Sequence, residues 1–262
     1  MNHSAVEFDH VSLRYRILAE RGINSFKEWA IRWMTRQMSY QELVALSDVS
    51  FTVPVGHAVG IIGHNGAGKS TLLRVAAGIL RPTEGTAVVR GRQAPVIELG
   101  LGFEAELSGR ENIFFNGALL GRSPAEMEDR LEEIVQFADL HAFIDQPIRT
   151  YSTGMVARLA FAVATTVDAH ILLLDEVLAV GDASFRLKCR ERLETFRDDG
   201  VTILLVSHDL EAVELMCDDV LWLDKGRVRA FGPAADVVAD YTAAVAEGPT
   251  VGGAIETTGP EG

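Results

Sequence analysis

The order of strand-like and helix-like segments predicts an α/β protein built on a largely parallel sheet. Short apolar runs typical of buried strands occur at 58–62, 171–175 and 202–207. Helical stretches lie between these runs, and a helix is the usual connection between parallel strands. The length of 262 residues and the hydrophobic content of 48% suit a globular chain that buries a full core.

The first half of the chain begins with two alternating segments. Residues 11–17 and 49–53 alternate with a period of two, which predicts half-buried strands, and roughly 18–43 lacks strand character. The run at 58–62 leads directly into a glycine-rich stretch and then a helical segment. Helices are predicted over 108–142, with turns at Gly121 and at Ser123-Pro124.

The second half continues the alternation. A charged helix separates two buried strands, and a hairpin follows around Asp224-Lys-Gly-Arg. The predicted elements are a helix at 152–166, strands at 171–175 and 202–207, a helix at 183–198, a hairpin at 221–231 and a helix at 235–246. Residues 247–262 are predicted to be a disordered tail.

Composition excludes several classes of function. The net charge of −13 disfavours a general nucleic-acid binder, because an acidic surface repels phosphate backbones. The two cysteines, Cys189 and Cys217, lie far apart, which fits a reducing compartment and provides no metal site. We expect neither a signal peptide nor a membrane span, because no suitable apolar stretch occurs.

The glycine-rich stretch predicts a phosphate-binding loop. It matches G-x-x-x-x-G-K-[ST], with a strand before it and a helix after it. Its backbone N–H groups are expected to surround the β-phosphate, Lys69 to neutralise β/γ oxygens, and Ser70 to bind Mg²⁺. The alternative is a glycine-rich turn that matches by chance. The predicted nucleotide-binding residues here are Gly63, His64, Asn65, Gly66, Ala67, Gly68, Lys69, Ser70 and Thr71.

Three further segments suit the same chemistry. Asp175 ends a buried strand, where its carboxylate can hold Mg²⁺, and the adjacent Glu176 can polarise an attacking water. His208 follows the next buried strand, where its imidazole can bond a γ-phosphate, although a histidine at a strand end is usually just packed. The segment 151–155, YSTGM, opens a helix and so predicts either an anion site or an ordinary N-cap.

Along the chain these four motifs come in the order 63–70, 151–155, Asp175-Glu176 and His208. In that order they resemble the motifs of ATP-binding cassette (ABC) ATPases, over roughly residues 5–245. The resemblance implies an ABC-type P-loop NTPase domain at 5–246: a mixed, largely parallel sheet core with an N-terminal antiparallel β subdomain and a helical subdomain at about 104–165. It implies ATP and Mg²⁺ as cofactors, and catalytic roles for Lys69, Glu176 and His208. Tyr15 is then the aromatic that stacks on adenine, although a plain core strand residue is the alternative.

The resemblance also implies a homodimer. Ser152 and Gly154 match the signature positions that close on ATP held by a second copy, and Asp182 matches the loop that crosses the interface. The signature is YSTGM where LSGGQ is usual, and the usual loop glutamine that senses Mg²⁺ is missing. Glu98 is the nearest polar candidate for that role at the metal.

The local motifs resemble one branch closely, the ATPases that export lipid-linked polysaccharides such as O-antigens, capsules and teichoic acids. This implies a separate polytopic permease in two copies, a lipid-linked glycan as substrate, no nucleic acid, and a peripheral location on the cytoplasmic face of the plasma membrane. The alternatives are another ABC exporter, for a drug or a lipid, and a soluble ABC protein. About 16 residues follow Ala246, so we expect no carbohydrate-binding domain of ~100 residues.

A basic segment precedes the second strand. Residues 14–36 hold six bases and two acids, and 25–38 predicts an amphipathic helix with Trp29 and Trp33 on one face. This inserted segment, about 18–43, is expected either to lie at the membrane or permease face or to pack on the protein's own sheet.

Overall fold

The computed structural model describes residues 4–18, 40–97, 100, 102–166, 168–176 and 181–246. Two sheets organise these residues, with helices packed against them. The strands are β1 (Ser4–Leu18), β2 (Tyr40–Pro54), β3 (Ala58–Ile62), β4 (Glu84–Val89), β5 (Gln93–Val96), β6 (Ile171–Asp175), β7 (Thr202–Val206), β8 (Asp219–Asp224) and β9 (Arg227–Pro233). The predicted segments 25–38 and 247–262 lie outside the described residues.

The six-stranded sheet has the order β5-β6-β7-β3-β8-β9. Its first five strands are parallel, and β9 pairs with β8 in antiparallel orientation. Every residue of β3 and β7 is buried, because both faces of this sheet are covered, one largely by the second sheet and the other by helices, which leaves no polar face to alternate. The carboxyl ends of β3, β6 and β7 therefore meet at one edge, and the predicted phosphate chemistry follows these three strands.

The second sheet is a three-stranded antiparallel one, in the order β2-β1-β4. Here β2 begins at Tyr40, within the stretch that shows no strand pattern, and continues the pairing with β1 as far as Leu18. Because pairing to β1 holds this part of β2 extended, it needs no alternating pattern of its own. The predicted strands at 11–17 and 49–53 are parts of these two longer strands.

Two strands, β4 and β5, were not predicted from the sequence. β5 contains Pro95, which usually argues against a strand because proline cannot donate to the ladder. The structure accommodates it because β5 is the edge strand and pairs with β6 alone. β4 is likewise an edge strand, paired with β1, and most of its residues are exposed.

Three apolar clusters form the core: one between the two sheets, one on the opposite face of the larger sheet, and one inside the helical region. The helix α4 (Thr153–Thr165) contributes Phe161 to the second cluster and Leu159 to the third, so it joins the helical region to the sheet. The helices are α1 (Lys69–Ala76), α2 (Gly109–Leu119), α3 (Pro124–Ala138), α4 (Thr153–Thr165), α5 (Ala183–Asp198), α6 (Leu210–Met216) and α7 (Ala234–Ala246).

The sequence places the helix ends by capping. Ser108 with Glu111 and Ser123 with Glu126 form capping boxes at the starts of α2 and α3.

No helix in the described part of the chain is long and apolar enough to cross a membrane. The architecture confirms the predicted α/β class, with a mixed sheet, an antiparallel N-terminal sheet and a helical region.

Candidate functional site

The predicted phosphate loop joins β3 to α1 at the carboxyl edge of the larger sheet. A cleft of about 310 Å³ opens beside it. The loop and α1 line one side of this cleft, and Glu176 and two strands of the smaller sheet complete it. Its lining residues are Tyr15, Leu43, Val44, Ala45, Asn65, Gly66, Gly68, Lys69, Ser70, Thr71 and Glu176.

Two glycines of the loop have backbone conformations that other residues rarely adopt. Gly66 has a φ of 81°, and nothing lies within 4 Å of where its Cβ would be, so the conformation rather than the space requires glycine. Gly68 has a φ of 107°, and a Cβ there would lie 2.7 Å from the carbonyl oxygen of Ala45. The loop therefore turns tightly against β2 and leaves the N-terminus of α1 open to the cleft.

Lys69 is almost fully buried at the base of the loop. Its ammonium donates hydrogen bonds to the carbonyl oxygens of Gly63, at 2.8 Å, and His64, at 3.2 Å. Burial lowers its pKa, while the charges of Glu176 and Asp175 oppose that shift. The side chain therefore brings a positive charge to the loop with its donors held in place.

Asp175 ends β6 beside Ser70, whose hydroxyl donates a hydrogen bond to the carboxylate. Burial raises the pKa of Asp175, and the neighbouring Glu176 raises it further. Among the described residues, the buried Oδ1 of Asp175 finds no hydrogen-bond partner. A buried carboxylate oxygen without a partner is costly, so the atom is well placed to bind a cation.

Glu176 and His208 contact each other directly. Nε2 of His208 lies 2.9 Å from Oε1 of Glu176, and both side chains are about half exposed at the cleft edge. Glu176 has a φ of 54°, a conformation that is uncommon for a non-glycine residue. Its backbone N–H donates to the carbonyl of Val206 on the neighbouring β7, which holds the strained position. The ends of β6 and β7 thus bring together two residues that lie far apart in the sequence.

Tyr15 lies partly buried on β1, where it packs at the margin of the core and also lines the cleft. It pairs with Leu43 of β2, and the exposed Leu43 and Val44 extend the same wall. Neither residue was predicted to line the site, because Leu43 falls in the segment without strand pattern and Val44 lies between that segment and the predicted strand. The apolar run from Leu43 to Leu46, just before the predicted strand, is the signal that could have revealed them.

The predicted signature residues lie at the start of α4. Ser152 caps this helix, and its hydroxyl accepts from the N–H of Met155 at 3.2 Å. The neighbouring Tyr151 is buried and donates to the carbonyl of Phe143, and burial raises its pKa. A Cβ on Gly154 would meet only the Ser152 hydroxyl, at 3.9 Å. Ser152 and Gly154 do not line the cleft described above.

Two other predicted residues have different outcomes. Glu98 lies outside the described residues. Asp182 caps α5, accepting from the N–H of Phe185 at 2.9 Å, and the Ser184 hydroxyl lowers its pKa. This capping role was not predicted. No group of three or more His, Cys, Asp and Glu residues suited to a metal occurs in the part of the chain that the structure describes.

The phosphate loop, a carboxylate pair after β6 and a histidine after β7 meet at one sheet edge, and a family model described as ABC transporter matches residues 46–179. The chain belongs to the ABC transporter family. The predicted membership and the predicted ABC-type fold are confirmed.

Relatives and solved structures agree with this assignment. The chain is 44% identical over 246 residues to the O-antigen export system ATP-binding protein RfbB of Klebsiella pneumoniae, covering 93% of this ABC chain and all of the relative. It is 43% identical to the teichoic acids export ATP-binding protein TagH of Bacillus cereus, covering 78% of this chain and 37% of TagH.

Two solved structures share the fold. An ATP binding subunit of an ABC transporter superposes with a TM-score of 0.71 at 25% identity, covering 91% of this chain and 94% of that one. A dimeric ATP-binding cassette with ADP and Pi superposes with a TM-score of 0.69 at 22% identity, covering 87% of this chain and 98% of that one.

Proposed function

We propose that this chain is the ATP-hydrolysing subunit of an exporter that moves a lipid-linked polysaccharide across the cytoplasmic membrane. The observation that carries the proposal is the 44% identity along the whole length of an O-antigen export ATP-binding protein. The names of the O-antigen and teichoic acid relatives confirm the predicted function class. The substrate is accordingly an O-antigen, a capsule, a teichoic acid or another cell-wall glycan.

The cleft suits the parts of ATP. Backbone N–H groups of the loop and the N-terminus of α1 face the phosphates, where they stabilise negative charge. Lys69 adds a full positive charge at the same place. Tyr15, Leu43 and Val44 form an apolar wall that suits the face of an adenine ring.

Ser70 and Asp175 fit Mg²⁺, the remaining predicted cofactor. Both offer oxygen atoms, the ligand type that Mg²⁺ prefers, and the Oδ1 of Asp175 is buried without a partner in the described structure. Mg²⁺ in proteins commonly uses one or two side chains together with substrate phosphates, so a small protein ligand set is expected. When bound, the ion neutralises charge on the phosphate oxygens.

Glu176 is placed to act on the water that attacks the γ-phosphate. It lines the cleft at the end of β6, next to the residue assigned to the metal. The His208 contact fixes one carboxylate oxygen and leaves the other to accept a hydrogen bond from water. We assign Glu176 as general base and His208 as the residue that orients it near the γ-phosphate.

Ser152 and Gly154 complete the site of a second copy. The N-terminus of α4 is open at Gly154, and a helix N-terminus attracts a phosphate. Two copies arranged head to tail would place each α4 start against the other copy's ATP. A homodimer would then hold two equivalent ATP sites, with Asp182 near the interface.

An apolar groove on the helical region suits the permease. It lies between β5, α2 and α4, has a volume of about 190 Å³, and has Ile79 and Leu119 at its rim, 59% and 64% exposed. Contiguous apolar surface along a groove is typical of a protein-contact site. We assign it to a segment of a polytopic membrane protein, two copies of which would hold the ATPase dimer at the cytoplasmic face of the membrane.

The transport proposal is tested in cells depleted of the protein. Depletion is expected to make a lipid-linked glycan accumulate inside the cell, and wild-type protein should restore export while the Glu176→Gln variant should not. Chemical analysis of the accumulated lipid identifies the glycan. Normal export in depleted cells would contradict the proposal.

The groove is tested separately. Leu119→Glu should abolish co-purification with the permease and leave ATP binding unchanged, because a charge in an apolar interface is costly to bury. Val245→Glu is the matched control, since Val245 is similarly exposed, at 61%, on α7 outside the groove. Equal permease recovery with both variants would show that the groove is not the docking site.

A further inference from the structure

The turn between β8 and β9 packs against the phosphate loop. The N–H of Gly226 donates to the carbonyl of Ala67 in the loop at 2.9 Å, and the carbonyl of Gly226 accepts from the N–H of Ser47 on β2 at 2.8 Å. A Cβ on Gly226 would lie 2.6 Å from the carbonyl oxygen of Ala45, so only glycine allows this approach. The turn therefore links the loop to the strand that forms the apolar wall of the cleft.

A side-chain contact reinforces this link. Nε2 of His64, the second residue of the phosphate loop, lies 3.1 Å from Oδ1 of Asp224 at the end of β8. The other ring nitrogen, Nδ1, lies 2.7 Å from the carbonyl oxygen of Asn65. Both facing atoms accept hydrogen bonds, and a neutral imidazole has only one N–H to donate. Both bonds form together only when the ring is protonated.

One carboxylate and two cations lie around the ring, and of these only the carboxylate of Asp224 favours its charged form. Asp224 faces the ring from β8, and Arg229 of β9 lies 3.8 Å from the second oxygen of Asp224 and over the Trp222 ring. On the other side, the ammonium of Lys69 donates to the backbone carbonyl of His64 at 3.2 Å. His64 therefore connects Asp224, through its ring, to Lys69, through its backbone.

We propose that Asp224 is a positioning residue for the nucleotide site, which acts by holding protonated His64 and so fixes the phosphate loop. The protonated ring makes both bonds and the neutral ring loses one, so the loop is held more firmly at low pH. ATP affinity should therefore be greater at acidic pH, where an imidazole is charged, than at alkaline pH, where it is neutral. This inference rests on the proposed role of the loop in binding ATP.

The test is the affinity of the full chain for a fluorescent ATP analogue between about pH 6 and pH 8.5. Asp224→Asn should weaken binding at low pH by about two- to fivefold, the contribution expected of a partly exposed charge pair, and should approach wild type at high pH. His64→Arg keeps a permanent charge and a donor for Asp224, so it should bind tightly across the whole range. His64→Leu removes both ring nitrogens and should bind weakly across the same range.

The analogue's own phosphates also change charge with pH. This contribution is the same for every variant, so the role of Asp224 is measured by the difference in affinity between each variant and wild type at the same pH. Asp240→Asn, an exposed residue on α7, is the matched control and should follow wild type throughout. If Asp224→Asn folds poorly, as judged by circular dichroism, Asp224→Glu keeps the charge and should retain the wild-type pH profile.

The outcomes separate this inference from the proposed function. Equal pH dependence in wild type and His64→Arg, or wild-type affinity of Asp224→Asn at low pH, would overturn the role of Asp224 while ATP binding stands. Failure of the wild-type chain to bind the analogue, or binding unaffected by Lys69→Ala, would instead contradict the assignment of the loop to ATP.

Discussion

Two polar regions of the molecule differ in what their residues contact. One is the phosphate edge, which comprises the loop at 63–70 with Asp175, Glu176 and His208. The other is the start of α4, at Ser152 and Gly154. At the phosphate edge, Lys69 is bonded to its own loop, and Glu176 is bonded to His208 of the next strand. At the start of α4, the hydroxyl of Ser152 accepts from the N–H of Met155 in its own helix, and the described residues give it no bond to another element. The contacts of the phosphate edge form within one copy of the chain, whereas we propose that the start of α4 acts on the ATP of a second copy.

The glycines of the two regions also differ in their backbone conformation. The loop glycines at 66 and 68 have positive φ angles, so the local fold requires them. Gly154 does not have a positive φ, and a Cβ there would meet no backbone and only one side-chain atom within 4 Å. The described residues supply no packing reason for a glycine at 154, whereas the proposed close approach of a second copy's ATP would supply one.

The largest expected effect is a loss of ATP turnover when Glu176, at the phosphate edge, is substituted. Glu176→Gln keeps the shape and removes the base, so ATP turnover should fall about 10²–10⁴-fold, or ~3–5 kcal/mol of barrier. ATP binding should persist, and the variant should accumulate as an ATP-bound dimer. Phosphate release measures the rate, and size-exclusion chromatography measures the dimer.

Glu214→Gln is the control for this change, because Glu214 is an exposed residue on α6. Its turnover should equal that of wild type. Turnover of Glu176→Gln within twofold of wild type would show that another group acts as the base.

The next effect comes from removing the loop cation. Lys69→Ala should weaken ATP binding by about 10- to 100-fold, because hydrogen bonds to charged groups contribute ~1.5–3 kcal/mol each. Titration calorimetry measures the affinity. Lys188→Ala removes an exposed lysine from α5 and should leave the affinity unchanged, whereas equal affinities in the two variants would contradict the assignment of Lys69.

These two predictions concern residues that the sequence could identify, because each motif is continuous along the chain. The loop follows β3 directly, and Asp175 and Glu176 end β6, so an apolar run and its flanking residues define each part. The geometry between the parts could not be predicted. The contact between His208 and Glu176, and the one between His64 and Asp224, depend on which strands are neighbours in the sheet.

β5 and the first part of β2 were not predicted for the same reason, because both depend on pairing with a neighbouring strand. β5 contains Pro95 and spans only Gln93–Val96, so its pattern is too short and too irregular to predict a strand. Pairing with β6 holds it extended. The first part of β2 is similarly held by β1, and Leu43 and Val44 reach the cleft wall only through that pairing.

A smaller effect is expected from a substitution at the start of α4, and it concerns dimerisation. Gly154→Asp should prevent ATP-dependent dimerisation, because a carboxylate would face the γ-phosphate of the other copy and like charges repel. The fold should survive, since a side chain at 154 meets open space in the described structure. ATP binding by the monomer should therefore be retained, with the melting temperature near that of wild type.

Gly154→Ala is the matched control for helix stability, because it adds a methyl group without a charge. It should raise or preserve the melting temperature, since alanine favours a helix more than glycine does. If Gly154→Asp dimerises normally with ATP, a second copy does not approach this helix, and the contrast between the two regions fails.

The smallest effect concerns the link between the helical region, which carries the start of α4, and the larger sheet. Nη1 of Arg192 on α5 lies 2.9 Å from Oε1 of Glu133 on α3, and its guanidinium lies over the Phe137 ring, 4.8 Å from the centroid. Phe137 in turn packs against Phe161 of α4 and Phe185 of α5. One cation and an aromatic cluster thus join helices of the two regions.

Arg192→Ala should lower the free energy of unfolding by about 1 kcal/mol, because it removes a partly exposed ion pair and a cation–π contact. For a chain of this size that corresponds to a melting temperature lower by about 2–4 °C. Arg190→Ala, an exposed arginine on the same helix, should leave it unchanged. The affinity of the monomer for ATP should be the same in both variants, because Arg192 does not line the cleft. A melting temperature of Arg192→Ala equal to that of Arg190→Ala would show that the contacts of Arg192 do not help to hold the helical region to the sheet.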